Sequence, residues 1–237
     1  SPIWLHLDDV DLGEIADQVG TPCYVYSRRS FEQAWRDYNS AFKDRAHRIC
    51  YAVKANDNLS ILKALALIGS DFDVVSIGEL NKVIAAGGKP AGAVFSGVGK
   101  TRDEITEALK AGIGCINLES CEEFERLESV ATNMAAFVNV AVRVNPNVDP
   151  KTHPYISTGL KDSKFGVPIN DARELYQRIS SSKWLNPSGI ACHIGSQITI
   201  VDPIIEAVGH VVDLALDLKT IGIQIETIDV GGGLGID

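Results

Sequence analysis

A lysine closes the apolar run in CYAVKAND, where Lys54 follows Tyr51, Ala52 and Val53. Burying an ammonium in such a setting is costly, and the cost lowers its pKa, so that more of the group is free amine. A free amine is a nucleophile that condenses with an aldehyde. Further chemically useful groups follow along the chain: Asp73 with Glu79, Arg143, His193 with Ser196 three residues on in HIGS, and the run Gly231, Gly232, Gly233. Glycines after a strand let backbone N–H groups approach phosphate oxygens with no Cβ in the way, and a following helix start would add its positive end. A histidine can lie flat against a ring, a serine hydroxyl can donate to a phosphate, and a carboxylate near the amine can manage protons. Together these groups suit one need, a phosphorylated aromatic aldehyde held as an imine.

Each group also has a plainer use. A strand-end lysine is an ordinary ion-pair partner, and Arg143 could pair with Asp73 or Glu79. His193 could be a satisfied core histidine. The stretch GGGLG is not the dinucleotide fingerprint, which needs G-x-G-x-x-G early in a βαβ unit and an acid about 20 residues later. What separates the readings is whether the elements bring the groups together.

Short apolar or β-branched runs alternate with helical patterns along the chain: RICYAVKA then NLSILKALALIG, DFDVVS then GELNKVIAAGG, AGAVFSG then TRDEITEALKAG, GCINLES then CEEFERLESVAT, VNVAVRVN, GIACHIGS then VDPIIEAVGHVVDLALDLKTIG, and last ETIDVGGG. Strands followed by helices of this length imply parallel pairing through right-handed crossovers. Thr101 with Glu104 has capping-box spacing, and Gly112 or Gly114 ends that helix. The steady cadence of one strand and one helix predicts an α/β fold, a (β/α)8 TIM-type barrel of which this chain holds about seven units, rather than an open doubly wound sheet. On that fold Lys54, Asp73, Arg143, His193 and the glycine run all fall at the carboxyl ends of strands, the face that carries catalytic groups and binds phosphate in barrels. The long irregular stretch from Asn145 to about Asn170 follows the fifth strand and is expected to be a functional loop.

The 237 residues are 45% hydrophobic and 22% charged, an ordinary globular composition. A net charge of −9 and a pI near 5.0, with no Lys/Arg cluster, argue against a nucleic-acid partner. No apolar run approaches the roughly 18 residues of a membrane helix, and SPIWLHLDDVDLGEIA has no signal-peptide order. Cytoplasmic location and no membrane are the expectations. Cys23, Cys50, Cys115, Cys121 and Cys192 are odd in number and scattered, so neither a disulfide scaffold nor a metal site is expected, and Cys50 and Cys192 read as core.

The segments YAVKAN, FDVVSIGEL, FSGVGKT, RVNPNVD, THPYISTGLKDSKFGV, HIGSQI and DVGGGLGI together resemble the pyridoxal-phosphate decarboxylases of the alanine-racemase-like barrel fold, from about Thr21 to Asp237. THPYISTGLKDSKFGV resembles the diaminopimelate branch in particular. The resemblance implies pyridoxal 5'-phosphate as cofactor, with Lys54 as its Schiff-base lysine and catalytic residue. It implies His193 on the pyridine ring, Ser196 with Gly231, Gly232 and Gly233 on the phosphate, and Asp73, Glu79 and Arg143 lining the cofactor site. The reaction implied is removal of the carboxylate at the D-configured carbon of meso-diaminopimelate, giving L-lysine and CO₂ as the last step of lysine biosynthesis, in a homodimer with shared active sites. Alternatives are a related barrel decarboxylase acting on ornithine, arginine or carboxynorspermidine, and a barrel that binds the cofactor without turnover.

Residues 1–26 then read as a segment leading into the barrel, and residues 27–237 as the incomplete cofactor-binding barrel. Members of the family continue through an eighth strand with an EPGR-like motif and a C-terminal β-domain. That part supplies the acid facing the pyridine nitrogen, the arginines for the substrate carboxylate, and a Cys and Tyr region that completes the partner's site. The expectation is therefore of a fragment with two open sheet edges that is inactive alone.

Overall fold

The computed structural model describes residues 5–149 and 165–236. A short hairpin, β1 (His6–Leu7) and β2 (Val10–Asp11), opens it and leads into α1 (Leu12–Val19), whose first turn is capped by the Asp11 carboxylate on Gly13 N–H. Helix α1 buries no residue, and α2 (Arg28–Ala41) buries only Glu32, the acceptor of both Arg28 and Arg36.

A repeating strand and helix order follows: β3 (Cys50–Ala52), α3 (Leu59–Leu67), β4 (Asp71–Val74), α4 (Ile77–Ala85), β5 (Val94–Phe95), α5 (Arg102–Ala111), β6 (Cys115–Leu118) and α6 (Cys121–Met134). Next come β7 (Val138–Asn145), β8 (Val167–Pro168), α7 (Ile169–Ser181), β9 (Leu185–Ala191), α8 (Asp202–Thr220) and β10 (Thr227–Asp229). The main sheet runs β3-β4-β5-β6-β7-β9-β10 with every pair parallel, and β8 lies off β7. All seven runs expected as strands are strands, and the fold is the expected α/β sheet, with β3 and β10 as its edges among the described residues.

The sheet is curled, and its charges show it. Asp73 on β4 and Asp229 on β10 are five steps apart in the sheet, which in a flat sheet is roughly 24 Å. Asp229 nonetheless raises the pKa of Asp73, and Lys54 beyond β3 lowers that of His193 beyond β9. Groups so distant along the sheet can act on each other only if it bends them towards one mouth.

Apolar residues cover the helix side. Phe72, Phe95, Ile116, Leu118, Val140, Val142 and Ile190 pack with helix residues such as Leu62, Leu80, Ile105, Leu127, Leu175 and Leu218 in one cluster. Tyr176 on α7 is fully buried and ties two strands together: its hydroxyl donates to Gly189 O at 2.6 Å and accepts from Val142 N–H at 3.2 Å, beside the register shift between Val140 and Ala141. Cys192 is buried as expected, whereas Cys50 is half-buried; burial pushes both thiols up to about 12.

Three helices start with one device. Ser76, Thr101 and Ser120 each accept from the N–H of a glutamate three residues on, Glu79, Glu104 and Glu123. Each glutamate returns its carboxylate to a backbone N–H, of Val75, Thr101 and Glu119 respectively. The device fixes the turn between strand and helix at β4, β5 and β6, on the carboxyl side of the sheet. The irregular stretch expected from Asn145 to Asn170 is shorter than that: β7 includes Asn145, and β8 and α7 occupy residues from Val167 on. Most of THPYISTGLKDSKFGV lies outside the described residues. No helix among the described residues is long and apolar enough to cross a membrane.

Candidate active site

Lys54 does not end a strand. β3 stops at Ala52, and a single 3-10 turn over Val53–Ala55 carries the lysine out, so that Val53 is buried and Lys54 is exposed. The expectation of an amine desolvated by its own strand fails, because the turn breaks the alternation that would have kept the side chain inward. Its position at the mouth is kept: its charge acts on both Asp73 and His193.

Asp73 is the most unusual acid of the mouth. Burial lifts its carboxyl to about 6, with Asp229 and Glu79 adding to the rise and Ser96 and Lys54 opposing it. Its Oδ1 is buried and has no hydrogen-bond partner among the described residues. A polar atom in that state calls for a partner that the described residues do not provide.

His193, just beyond β9, is held near pH 4 by burial first and then by the charges of Arg143 and Lys54. Its Nδ1 accepts from Gly232 N–H at 3.3 Å, so the ring is neutral with its proton on Nε2. The histidine and the glycine turn thus form one unit. Within the turn, Gly231 and Gly233 have φ of 71° and 92°. A Cβ at Gly231 would run into the Cys192 carbonyl oxygen, and one at Gly233 into the Gly195 carbonyl oxygen. Both glycines serve the close approach of the two loops, which is fixed further by Ile198 N–H on Gly233 O at 2.8 Å. Gly232 differs, since a Cβ there would meet nothing within 4 Å. The turn is anchored on both sides and leaves open space beside Gly232, whose own N–H is engaged by His193 Nδ1. Gly231 N–H is taken by Asp229 Oδ1 at 2.8 Å, and Ser196 is exposed on the neighbouring loop.

Arg143 pairs with neither Asp73 nor Glu79. Its Nη1 donates to both oxygens of Glu119, at 3.0 and 3.2 Å, and its guanidinium lies 5.3 Å from the centre of the Phe165 ring. Glu79 is spent on its helix cap at Val75 N–H, 2.8 Å away. Glu119 also accepts from Gly97 N–H at 3.2 Å.

The sequence reading missed the groups beneath this pair. Lys100 is only 2% exposed and donates to Gly97 O at 2.6 Å, Asn117 O at 2.8 Å and Glu123 Oε1 at 3.1 Å. Burial lowers its pKa, against the pull of Glu123, Glu119 and Asp73. The lysine lies in the quoted FSGVGKT, but nothing local announces its burial. Glu123 was legible, because S-x-x-E at Ser120 repeats the spacing noticed at Thr101. Asp229 also stood in plain view in DVGGGLGI.

A curled parallel sheet whose carboxyl ends gather an amine, a lifted acid, a neutral histidine and a glycine turn defines a barrel that handles a carbonyl cofactor. Residues 28–237 match the family model described as pyridoxal-dependent decarboxylase, pyridoxal binding domain, and the chain belongs to that family. It is 49% identical over 232 residues to the diaminopimelate decarboxylase of Pseudomonas aeruginosa, covering 98% of this chain and 56% of that protein. The diaminopimelate decarboxylase of Helicobacter pylori, solved with L-lysine, superposes with a TM-score of 0.93 at 45% identity over 95% of this chain and 57% of that one. That of M. jannaschii, also with L-lysine, gives 0.92 at 39% identity over 98% and 56%. The chain spans about half the length of the curated relatives it matches.

The residues present fit the family's cofactor. At the mouth, Asp73 Oδ1 has no partner among the described residues and Gly232 has open space beside it. Asp73 lies on β4, next to the strand that leads to Lys54, and Gly232 follows β10, next to the strand that leads to His193.

Proposed function

We propose that this chain is the cofactor-binding part of an enzyme that decarboxylates meso-diaminopimelate to L-lysine and CO₂. The observation that carries the reading is that Lys54, on the turn beyond β3, acts on both Asp73 of β4 and His193 beyond β9, so that the three face a single mouth. In this reading Lys54 Nζ is the attachment point for pyridoxal phosphate. Ser196 and the Gly231 to Gly233 turn hold the phosphate, with Gly232 giving the open approach. His193 offers a neutral ring face, Arg143 supplies a fixed cation, and Asp73 holds or releases a proton near the lysine in the range around its pKa of about 6. When bound, the cofactor supplies an electron sink for the pair left behind as the carboxylate departs.

The substrate is inferred from the relatives, whose names specify diaminopimelate and of which two were solved with L-lysine. Residues 1–26 are assigned to a segment leading into the barrel that starts at about residue 27. A homodimer with shared sites and a cytoplasmic location complete the reading, and the acidic net charge of −9 argues against a polyanionic partner.

The test is an assay of the full-length gene product, with pyridoxal phosphate, against meso-diaminopimelate, ornithine and arginine in parallel, following CO₂. Release from meso-diaminopimelate well above the other two is expected. Release from ornithine or arginine alone would move the protein to another branch, and no release from any of them would remove the enzymatic reading.

A further inference from the structure

We propose that Glu119 is a positioning residue, which holds the Arg143 guanidinium at the cofactor mouth from a buried seat secured by Glu123 and Lys100. The proposal rests on the reading that the mouth binds pyridoxal phosphate. Glu119 follows directly on β6, next to the strand that carries Arg143. Its side chain is 3% exposed, and both its oxygens are within 3.2 Å of Arg143 Nη1. A carboxylate so buried needs close donors, and here they are that guanidinium and Gly97 N–H. The backbone at Glu119 is fixed from behind, since its N–H donates to Glu123 Oε2 at 2.8 Å. Glu123 is in turn fixed by Lys100, and Lys100 by the carbonyls of Gly97 and Asn117.

The arrangement has a direction. Lys100 and Glu123 are sealed off, at 1% and 4% side-chain exposure, whereas Arg143 is 16% exposed and stacks on Phe165, the next described residue after Asp149. Arg143 is thus the one member that reaches out, and its charge is felt by His193. An isolated arginine at a strand end samples many rotamers; one clamped by a buried acid presents its donors in a fixed place.

The decisive experiment compares Glu119→Gln with wild type and with Glu123→Gln in the full-length protein. In the cofactor-free protein, the side-chain ¹⁵N signals of Arg143, assigned with Arg143→Lys, report whether the guanidinium is held. Glu119→Gln should collapse the restrained Arg143 signals and raise the dissociation constant for pyridoxal phosphate roughly tenfold, the size expected for loss of one charge-assisted hydrogen bond. Glu123→Gln, which keeps an oxygen for Glu119 N–H and loses only the charge facing Lys100, should lower stability while leaving the Arg143 signals in place. If Glu119→Gln does not fold, Glu119→Asp gives the same reading, because a side chain one carbon shorter loses reach to Arg143 while keeping its charge. Wild-type Arg143 signals and affinity in the Glu119 variant, with Lys54 still trapped by borohydride, overturn the inference and leave the proposed function standing. Absence of trapping at Lys54 in wild type overturns both.

Discussion

Two lysines stand just beyond strands of the same sheet, and their surroundings are opposite. Lys54, after β3, is exposed on a single turn, beside an acid whose Oδ1 has no partner among the described residues. Lys100, after β5, is buried and donates to two carbonyls and a carboxylate. The β5–β7 side of the mouth has its charges matched, which makes it a rigid support. The β3–β4 side is left electrostatically incomplete, which is the state of a place that receives a ligand. Burial therefore sorts the two lysines: the amine of Lys100 is taken up by three acceptors, whereas that of Lys54 is exposed and its charge acts on Asp73.

The largest effect should come from the buried lysine. Lys100→Met leaves Glu123 and two carbonyls without their donor, and urea unfolding should show a loss of about 3–5 kcal/mol. A loss no greater than that of a surface substitution would remove the distinction between the two sides.

On the incomplete side the sign reverses. The fold favours protonated Asp73, so that contribution to stability is complete below its usual 3.8 and gone once the pH passes about 6. Asp73→Asn should accordingly be more stable than wild type by about 3 kcal/mol at pH 7, with the gain fading as the pH falls towards 4. His193 runs the other way: with its pKa lowered from 6.5 to about 4, stability is lost as the pH drops through that window. Comparing the pH dependence of Asp73→Asn and His193→Gln against wild type separates the two slopes. Parallel curves for wild type and Asp73→Asn would mean that the carboxyl is not lifted.

The glycine turn gives a smaller and more local contrast. Gly233→Ala must adopt a φ of 92° and meets the Gly195 carbonyl, so about 1–3 kcal/mol should be lost. Gly232→Ala has room, and its stability should stay within about 0.5 kcal/mol of wild type while its affinity for pyridoxal phosphate drops. Equal stability losses in the two variants would deny Gly232 its separate role. Smallest of all, Lys54→Met should change stability by no more than about 0.5 kcal/mol, because the side chain it replaces is exposed.

Some of this was legible in the sequence and some was not, for physical reasons. The strands could be read because runs such as Val138–Asn145 are β-branched and end at turn residues, and the helix starts because S/T-x-x-E is a local device. The mouth followed from the cadence of the strands, since parallel pairing forces their carboxyl ends to one side. The exposure of Lys54 was not legible, because a single turn at Val53–Ala55 overrides strand alternation. Nor was the burial of Lys100, whose acceptors on Asn117 and Glu123 come 17 and 23 residues later and meet it only through the sheet. The partner of Arg143 was misjudged for the same reason: Glu119 lies on the adjacent strand end, and sequence proximity gave no cue to which acid that would be.

The most direct test of the account is to incubate the full-length protein with pyridoxal phosphate, reduce it with borohydride and map the modified peptide by mass spectrometry. The account predicts the label on Lys54, with none on Lys100 and none in Lys54→Ala. A label on Lys100, or none on any lysine of wild type, would contradict it.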